Sequence, residues 1–267
     1  MENRARIIVI ANEKGGVAKT TLAINLGAVI ASIKRKKVLL IDLDPQGNST
    51  DALFHKISDD HTPTMYEVFK NENTVLKDII VKTSTPNFDI APSNLKLASA
   101  EMLLAGIMGR EHVLKNSLDN DTMLKYDYII IDTSPSLGIL TINALVASQY
   151  VLIPVVCEYF SVIGLDLLFD TIRLTHKKLG SIIETLGLVI TMHDVRLKIM
   201  HNAAEILQEK FPEKLFNTKI RINSKLKESQ LSHQTILQYD PASRGARDHI
   251  AFANELIEKL NKNYRND

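Results

Sequence analysis

The sequence predicts an α/β fold: a doubly wound, mostly parallel sheet with helices on both faces. Two observations predict it. Short apolar runs alternate along the chain with longer stretches of helical period, the strand-then-helix order of parallel sheets. Several of those runs are apolar at consecutive positions, as strands covered on both faces require. A chain of 267 residues is long enough for one large α/β unit. No internal repeat, low-complexity tract or long linker divides it. A single domain over 1–267 is therefore expected, with no separate helix-turn-helix domain ahead of it.

The elements follow in order. Strands are expected at Ile7–Ala11, Val38–Asp42, Phe88–Ala91, Tyr128–Asp132, Val151–Val156 and Leu186–Thr191. Helical periodicity falls at Lys19–Ser32, Leu95–Gly106, Ile139–Ala147, Gly164–Leu179 and Ile199–Phe211. A last helix over about Arg247–Lys262 places Ile250, Ala253, Ile257 and Leu260 on one face. Asp51–Thr85, rich in Asp, Asn, Thr and Lys, has the poorest pattern and reads as a surface insertion with short helices.

Composition narrows the classes. Hydrophobic residues make up 45% and charged residues 24%, with a formal net charge of +1. That near-balance gives no global attraction to polyanions, so a nucleic-acid partner would need a local basic patch. The single cysteine, Cys157, rules out an intramolecular disulfide or a multi-thiolate metal site, and its apolar surroundings suggest a small core residue. Met1–Arg6 shows no signal peptide, and no stretch reaches the roughly 20 apolar residues of a spanning helix. A cytoplasmic protein is expected.

Chemistry concentrates in Asn12-Glu13-Lys14-Gly15-Gly16-Val17-Ala18-Lys19-Thr20-Thr21. The segment follows an expected strand and opens an expected helix, the context a phosphate-binding loop needs. Glycines let backbone N–H groups close around phosphate oxygens, and the helix N-terminus favours the anion. Lys19 would reach the β- and γ-phosphates of ATP, and Thr20 would place its hydroxyl on Mg²⁺. The alternative is a Gly-Gly turn beside an ordinary amphipathic helix. The pattern G-x-x-x-x-G-K-[ST] is not met, because Glu13 and Ala18 stand at its glycine positions. With alanine at position 18, the backbone there is expected to avoid φ > 0.

Two carboxylate-bearing strands follow. The second strand ends in Asp42-Leu43-Asp44-Pro45-Gln46-Gly47-Asn48, and Pro45 turns the chain into a loop at the sheet's carboxyl edge, where α/β proteins bind ligands. Tyr128–Ile131 leads into Asp132-Thr133-Ser134-Pro135, placing Asp132 where a Walker B carboxylate would hold Mg²⁺ through water. Helix capping or strand-end solvation is the competing use of these aspartates.

The loop fits the deviant form x-K-G-G-x-x-K-[ST], whose mark is the early lysine, here Lys14. It resembles the ParA/MinD family of deviant Walker P-loop ATPases. Asp42–Asn48 is similar to that family's switch I, and Asp132–Pro135 matches its switch II pattern D-x-x-P. The resemblance extends through Ala91–Leu95, Pro154–Leu165 (with Glu158-Tyr159-Phe160) and Thr191–Arg196. It reaches a C-terminal signature, Tyr239-Asp240-Pro241-Ala242-Ser243-Arg244-Gly245-Ala246. It implies that ATP joins two subunits face to face, with Lys14 of each contacting the other's nucleotide. Lys14 through Thr21 (Gly15, Gly16, Val17, Ala18, Lys19 and Thr20 included) would bind the nucleotide. Asp44 would orient and activate the attacking water, and Asp42 would support the Mg²⁺ shell beside Thr20 and Asp132. Lys14 and Lys19 would complete the catalytic set.

The resemblance also implies nonspecific DNA as a partner, nucleoid association in the ATP-bound state, and a centromere-binding ParB-like protein that stimulates hydrolysis. From Arg196 to Lys227 eight basic residues face three acidic ones, a local excess of five. The family's DNA-contacting segment I-P-R-N-V-R-L-S-E-A-P reads here as Ile220-Arg221-Ile222-Asn223-Ser224-Lys225-Leu226-Lys227-Glu228-Ser229-Gln230. Lys225 sits at the arginine position, and Arg221 and Gln230 replace the two prolines. Arg196, Arg221, Lys225 and Lys227 are the candidate DNA contacts, acting through phosphates; a solvated helical face is the bland alternative. A MinD-like membrane-positioning ATPase is a second class, but it needs a basic, aromatic amphipathic tail, and Lys262–Asp267 is polar with one aromatic. No stable membrane association is expected. A small-molecule ligase of similar loop chemistry is a third class, though it explains neither Lys14 nor the C-terminal match.

Overall fold

The computed structural model describes residues 5–54, 62–71, 74–157 and 161–263, with 161–164 and 263 as backbone alone. Glu158-Tyr159-Phe160, residues 55–61, 72 and 73 of the Asp51–Thr85 insertion, and the tail beyond Asn263 lie outside the described residues. Among the described residues seven strands are β1 (Arg6–Ile10), β2 (Val38–Leu43), β3 (Val81–Lys82), β4 (Phe88–Ala91), β5 (Tyr128–Thr133), β6 (Tyr150–Val156) and β7 (Glu184–Thr191). They form one sheet in the order β3-β4-β2-β5-β1-β6-β7. All neighbours are parallel except β3 with β4. The six expected strands are present; β3, a two-residue edge strand, carries too few residues to show a period.

Helices are α1 (Lys19–Ser32), α2 (Asn48–Leu53), α3 (Met65–Lys70), α4 (Ala100–Leu103), α5 (Val113–Ser117), α6 (Asn120–Lys125), α7 (Ile139–Ala147), α8 (Ser161–Leu179), α9 (Lys198–Lys210), α10 (Ser224–Leu231), α11 (Ile236–Tyr239) and α12 (Arg244–Asn263). The expected helix over Leu95–Gly106 is shorter than its pattern. A 3₁₀ turn over Leu95–Ser99 precedes α4, and Gly106 takes φ 87. Only Leu97, Ala100 and Leu104 of that stretch find a buried face, while Leu95 and Met102 stay exposed.

Consecutive apolar residues in the strands feed two cores, one per sheet face. Ile7, Val9, Leu39, Ile41, Ile129 and Ile131 pack under α7, α8 and α9. Ile8, Ile10, Val38, Leu40, Tyr128 and Ile130 pack under α1 and α12. Alternate side chains leave opposite faces of a strand, so a run such as Ile7–Ile10 serves both. Gly27 brings α1 hard against the sheet: a Cβ there would lie 2.5 Å from Phe88 Cζ. That close approach seats the C-terminal half of α1 against the start of β4. Cys157 is buried and unpaired. Among the described residues no helix is long and apolar enough to cross a membrane.

Candidate active site

The turn between β1 and α1 is built around Asn12. Its Nδ2 donates to Pro154 O at 2.8 Å, and its Oδ1 accepts from Lys14 N at 2.9 Å. Lys19 Nζ folds back to donate to Asn12 O at 2.9 Å and Lys14 O at 3.1 Å. Thr191 Oγ1 donates to Val17 O at 3.0 Å. The turn is thus shaped by partners from β6, β7 and α1 before any anion arrives. Burial pushes the Lys19 ammonium below its usual range, and the nearby carboxylates of Asp132 and Asp44 partly offset that.

Ala18 corrects the sequence expectation. It adopts φ 64, ψ 31, the left-handed region, directly before α1. An L-residue with a Cβ pays about 1–2 kcal/mol there. The conformation is imposed because Val17 is buried and tied to Thr191 on one side while α1 must begin on the other. Backbone strain of this kind gathers where surrounding structure over-determines a functional turn. Gly16 also has positive φ, at 75, and Gly15 and Gly16 are exposed.

Asp42 and Asp132 lie side by side on β2 and β5, paired in register, and both are fully buried. Asp42 Oδ2 accepts from Thr50 N at 2.9 Å and Thr50 Oγ1 at 2.7 Å, and its Oδ1 accepts from Asp44 N at 3.1 Å. One of those donors is an otherwise unpaired N–H in the first turn of α2, so Asp42 does serve as a cap. Asp132 Oδ2 accepts from Ser49 Oγ at 2.7 Å. Its Oδ1 is buried with no hydrogen-bond partner. Burial raises both carboxyls above the usual carboxylate range. The charge of Asp132 adds to the shift at Asp42, whereas hydroxyl hydrogen bonds from Ser49 and Thr20 moderate it at Asp132.

Asp44 is nearly buried just past β2, and its Oδ1 accepts from Gln46 N at 2.9 Å. Gly47, at φ 64, lets the chain turn from Pro45 into α2, and its Cβ position is already bounded by Ser93 O at 3.4 Å. The donor set suits Mg²⁺. A buried carboxylate oxygen of Asp132 lacks a partner, and the Thr20 hydroxyl lies close enough to lower that carboxyl's shift. That is how Mg²⁺ is held when substrate phosphates and water complete its octahedron.

A largely apolar cleft of about 330 Å³ opens beside the loop, lined by Gly16, Ala18, Thr21, Met192, Ile222 and Leu226 among others. Its far wall is the Ile220–Gln230 segment.

Residues 5–185 match the model of the AAA domain family. The sporulation initiation inhibitor protein Soj of Bacillus subtilis is 42% identical over 251 residues, covering 94% of this chain and 98% of Soj. The chain belongs to the ParA/Soj family of P-loop NTPases. Among solved structures, a putative plasmid partition protein of Borrelia burgdorferi bound to AMPPNP is 31% identical with a TM-score of 0.78, covering 97% of this chain and 99% of that one. Cobyrinic acid a,c-diamide synthase of Mycobacterium smegmatis, bound to an ATP analogue and magnesium, is 30% identical with a TM-score of 0.80, covering 96% of each chain.

Within this family's fold, the sequence-expected residues divide into two groups. Lys14 through Thr21, Asp42, Asp44 and Asp132 converge at the carboxyl ends of β1, β2 and β5. The basic residues are more scattered. Arg196 and Arg221 line a second cleft with His193, Asp194 and Arg244, while Arg221 and Lys227 also border the apolar one. Three of the four carry carboxylate partners. Arg196 grips Asp194 through Nε and Nη2 at 2.9 and 2.6 Å, Arg221 Nε donates to Asp248 Oδ2 at 2.9 Å, and Lys225 Nζ pairs with Glu228 at 2.7 Å. Sequence reasoning gave no role to Asn12 or Thr191, though both stand in segments it singled out, and missed Ser49 and Thr50; all four hold the site in place. Asn12 had a signal in its position at the loop's start, whereas Thr191 lies 174 residues from the Val17 carbonyl it holds.

Proposed function

We propose that this chain is a Mg²⁺-dependent DNA-partition ATPase that cycles between a free state and an ATP-bound, face-to-face dimer. The dimer binds DNA through backbone phosphates without reading sequence, in association with the nucleoid. A ParB-like centromere-binding protein stimulates hydrolysis and release. The observation that carries the ATPase core is the unpartnered, buried Asp132 Oδ1 beside Thr20 and Lys19. Kinship with Soj and with a plasmid partition protein supports the partition role.

The residues have distinct tasks. Backbone N–H groups of Gly15–Thr20 and the N-terminus of α1 receive the phosphates. Lys19 exchanges its carbonyl partners, Asn12 and Lys14, for phosphate oxygens, whose negative charge offsets the desolvation of the buried ammonium. Thr20 and Asp132 would hold Mg²⁺, with Asp42 keeping Asp44 and α2 in register behind them. The bound cation would neutralise developing charge on the transferred phosphoryl group. Asp44, its Oδ1 fixed by Gln46 N–H, keeps Oδ2 to accept from the attacking water. The apolar cleft is suited to the adenine ring. Lys14 would complete the partner's site, the role its position in the deviant motif implies.

The decisive experiment is DNA retardation with ATP, with ADP and without nucleotide, comparing wild type with Lys14→Ala and Lys225→Ala. Retardation only with ATP, lost in both variants, is expected. Nucleotide-independent binding, or none in wild type, refutes the partition reading.

A further inference from the structure

The two residues that stand in place of prolines in the Ile220–Gln230 segment both use hydrogen bonds. Arg221 N donates to Asp248 Oδ2 at 3.0 Å, a bond proline's missing N–H forbids. Gln230 Nε2 donates to Thr21 Oγ1 at 3.1 Å. Thr21 belongs to the first turn of α1 and lines the same cleft as Gly16 and Ala18, and Gln230 lines it from the opposite wall. Gln230 also belongs to α10, the helix that carries Lys225 and Lys227.

A hydroxyl has one hydrogen and two lone pairs. With Gln230 donating to one lone pair, the Thr21 hydrogen is left to donate to an anion in the cleft. The same bond fastens α10 to the loop that the anion must enter. Two further ties run parallel. Ile236 N donates to Asn25 Oδ1 at 2.8 Å, and His233 Nδ1 lies 2.7 Å from Asp51 O in α2, which follows the Asp44 turn. His233 takes φ 52 to do so. α10, α11 and the turn between them are therefore bonded to α1, whose first turn belongs to the phosphate loop, and to α2.

We propose that Gln230 is a positioning residue: it aims the Thr21 hydroxyl at the nucleotide and ties the state of the phosphate loop to the placement of Lys225 and Lys227. The proposal rests on the nucleotide-dependent DNA binding argued above. Coupling of this kind requires one element biased by both sites, and α10 is that element.

The test uses the full chain with Gln230→Leu, which keeps bulk but cannot donate, and Gln230→Glu, which presents an acceptor to the hydroxyl and a charge to the phosphates. ATP affinity by titration and DNA retention with and without ATP are read together, with thermal melting of the nucleotide-free protein as the folding control. Gln230→Leu is expected to weaken ATP binding about fivefold, the loss of one hydrogen bond, and to shrink the ATP-to-no-ATP ratio of DNA retention by a similar factor or more. Gln230→Glu should weaken ATP binding further. If Gln230→Leu melts like wild type and keeps both the ATP affinity and the DNA ratio, the proposal is overturned. If it loses ATP affinity but the ratio at saturating ATP is intact, the coupling is refuted. Wild type that binds ATP without any DNA ratio would sink the functional reading instead, so the two failures are distinguishable. Should Gln230→Leu melt early, Thr21→Val, which removes the hydroxyl from the other side, must give the same paired losses or the proposal fails.

Discussion

Asp42 and Asp132 occupy paired positions on adjacent parallel strands, both wholly buried, and the protein keeps two carboxyls together where neither is comfortably ionised. Each has a folded-state affinity for protons above that of a free carboxylate. A raised carboxyl stabilises the fold at low pH, and that contribution is lost as pH climbs from the unfolded value through the folded one. A cation at Asp132 reverses the preference, because it favours the ionised form.

Mg²⁺-nucleotide binding should therefore release protons and strengthen with pH. The increase in melting temperature given by Mg²⁺ and a non-hydrolysable ATP analogue should be markedly larger at about pH 8 than at about pH 5, in buffers of matched ionic strength. A thermal shift independent of pH would argue against cation binding at this pair.

Replacing Asp132 by Asn separates stability from function. The nucleotide-free protein should gain about 1 kcal/mol or more at neutral pH in denaturant titration, since one buried charge is removed. The Mg²⁺-dependent part of nucleotide stabilisation should vanish. A destabilised variant would mean that the Ser49 hydrogen bond outweighs the desolvation of the charge.

Ala18→Gly tests the strained turn. Relief of left-handed strain exceeds the extra freedom that glycine gives the unfolded chain, so a net gain of about 0.5–1 kcal/mol is expected. A melting temperature raised by roughly 1–4 °C would register it. A fall would show that the turn relaxes at little cost with alanine.

Asp44→Ala should leave ATP binding within about threefold of wild type while turnover falls about 100-fold or more, as loss of a water-orienting group would produce. Steady-state phosphate release beside equilibrium ATP titration makes the comparison. Unchanged turnover would remove Asp44 from the chemistry.

Glu228→Gln should free Lys225 from its nearest counter-charge. Glu228 also accepts from Tyr239 OH at 2.9 Å, a bond that glutamine can retain. DNA retention with ATP should rise severalfold, and the salt dependence should steepen by about one counterion. Weaker retention would mean that Glu228 orients the lysine rather than masking it.

What the sequence by itself determined was the local chemistry. The positions of six strands along the chain, the loop from Lys14 to Thr21, and Asp42, Asp44 and Asp132 at strand ends are written in contiguous residues, because strand burial, tight turns and strand-end position depend on near neighbours. Tertiary structure decided the rest. It forced Ala18 into the left-handed region through a threonine from β7, and it put Asp248 on Arg221, one of the four expected DNA contacts, across 27 positions. It also joined Gln230 to Thr21 across 209 positions. A hydrogen bond or ion pair acts over a few ångströms of space, and no local pattern specifies which distant residues the folded chain will bring that close.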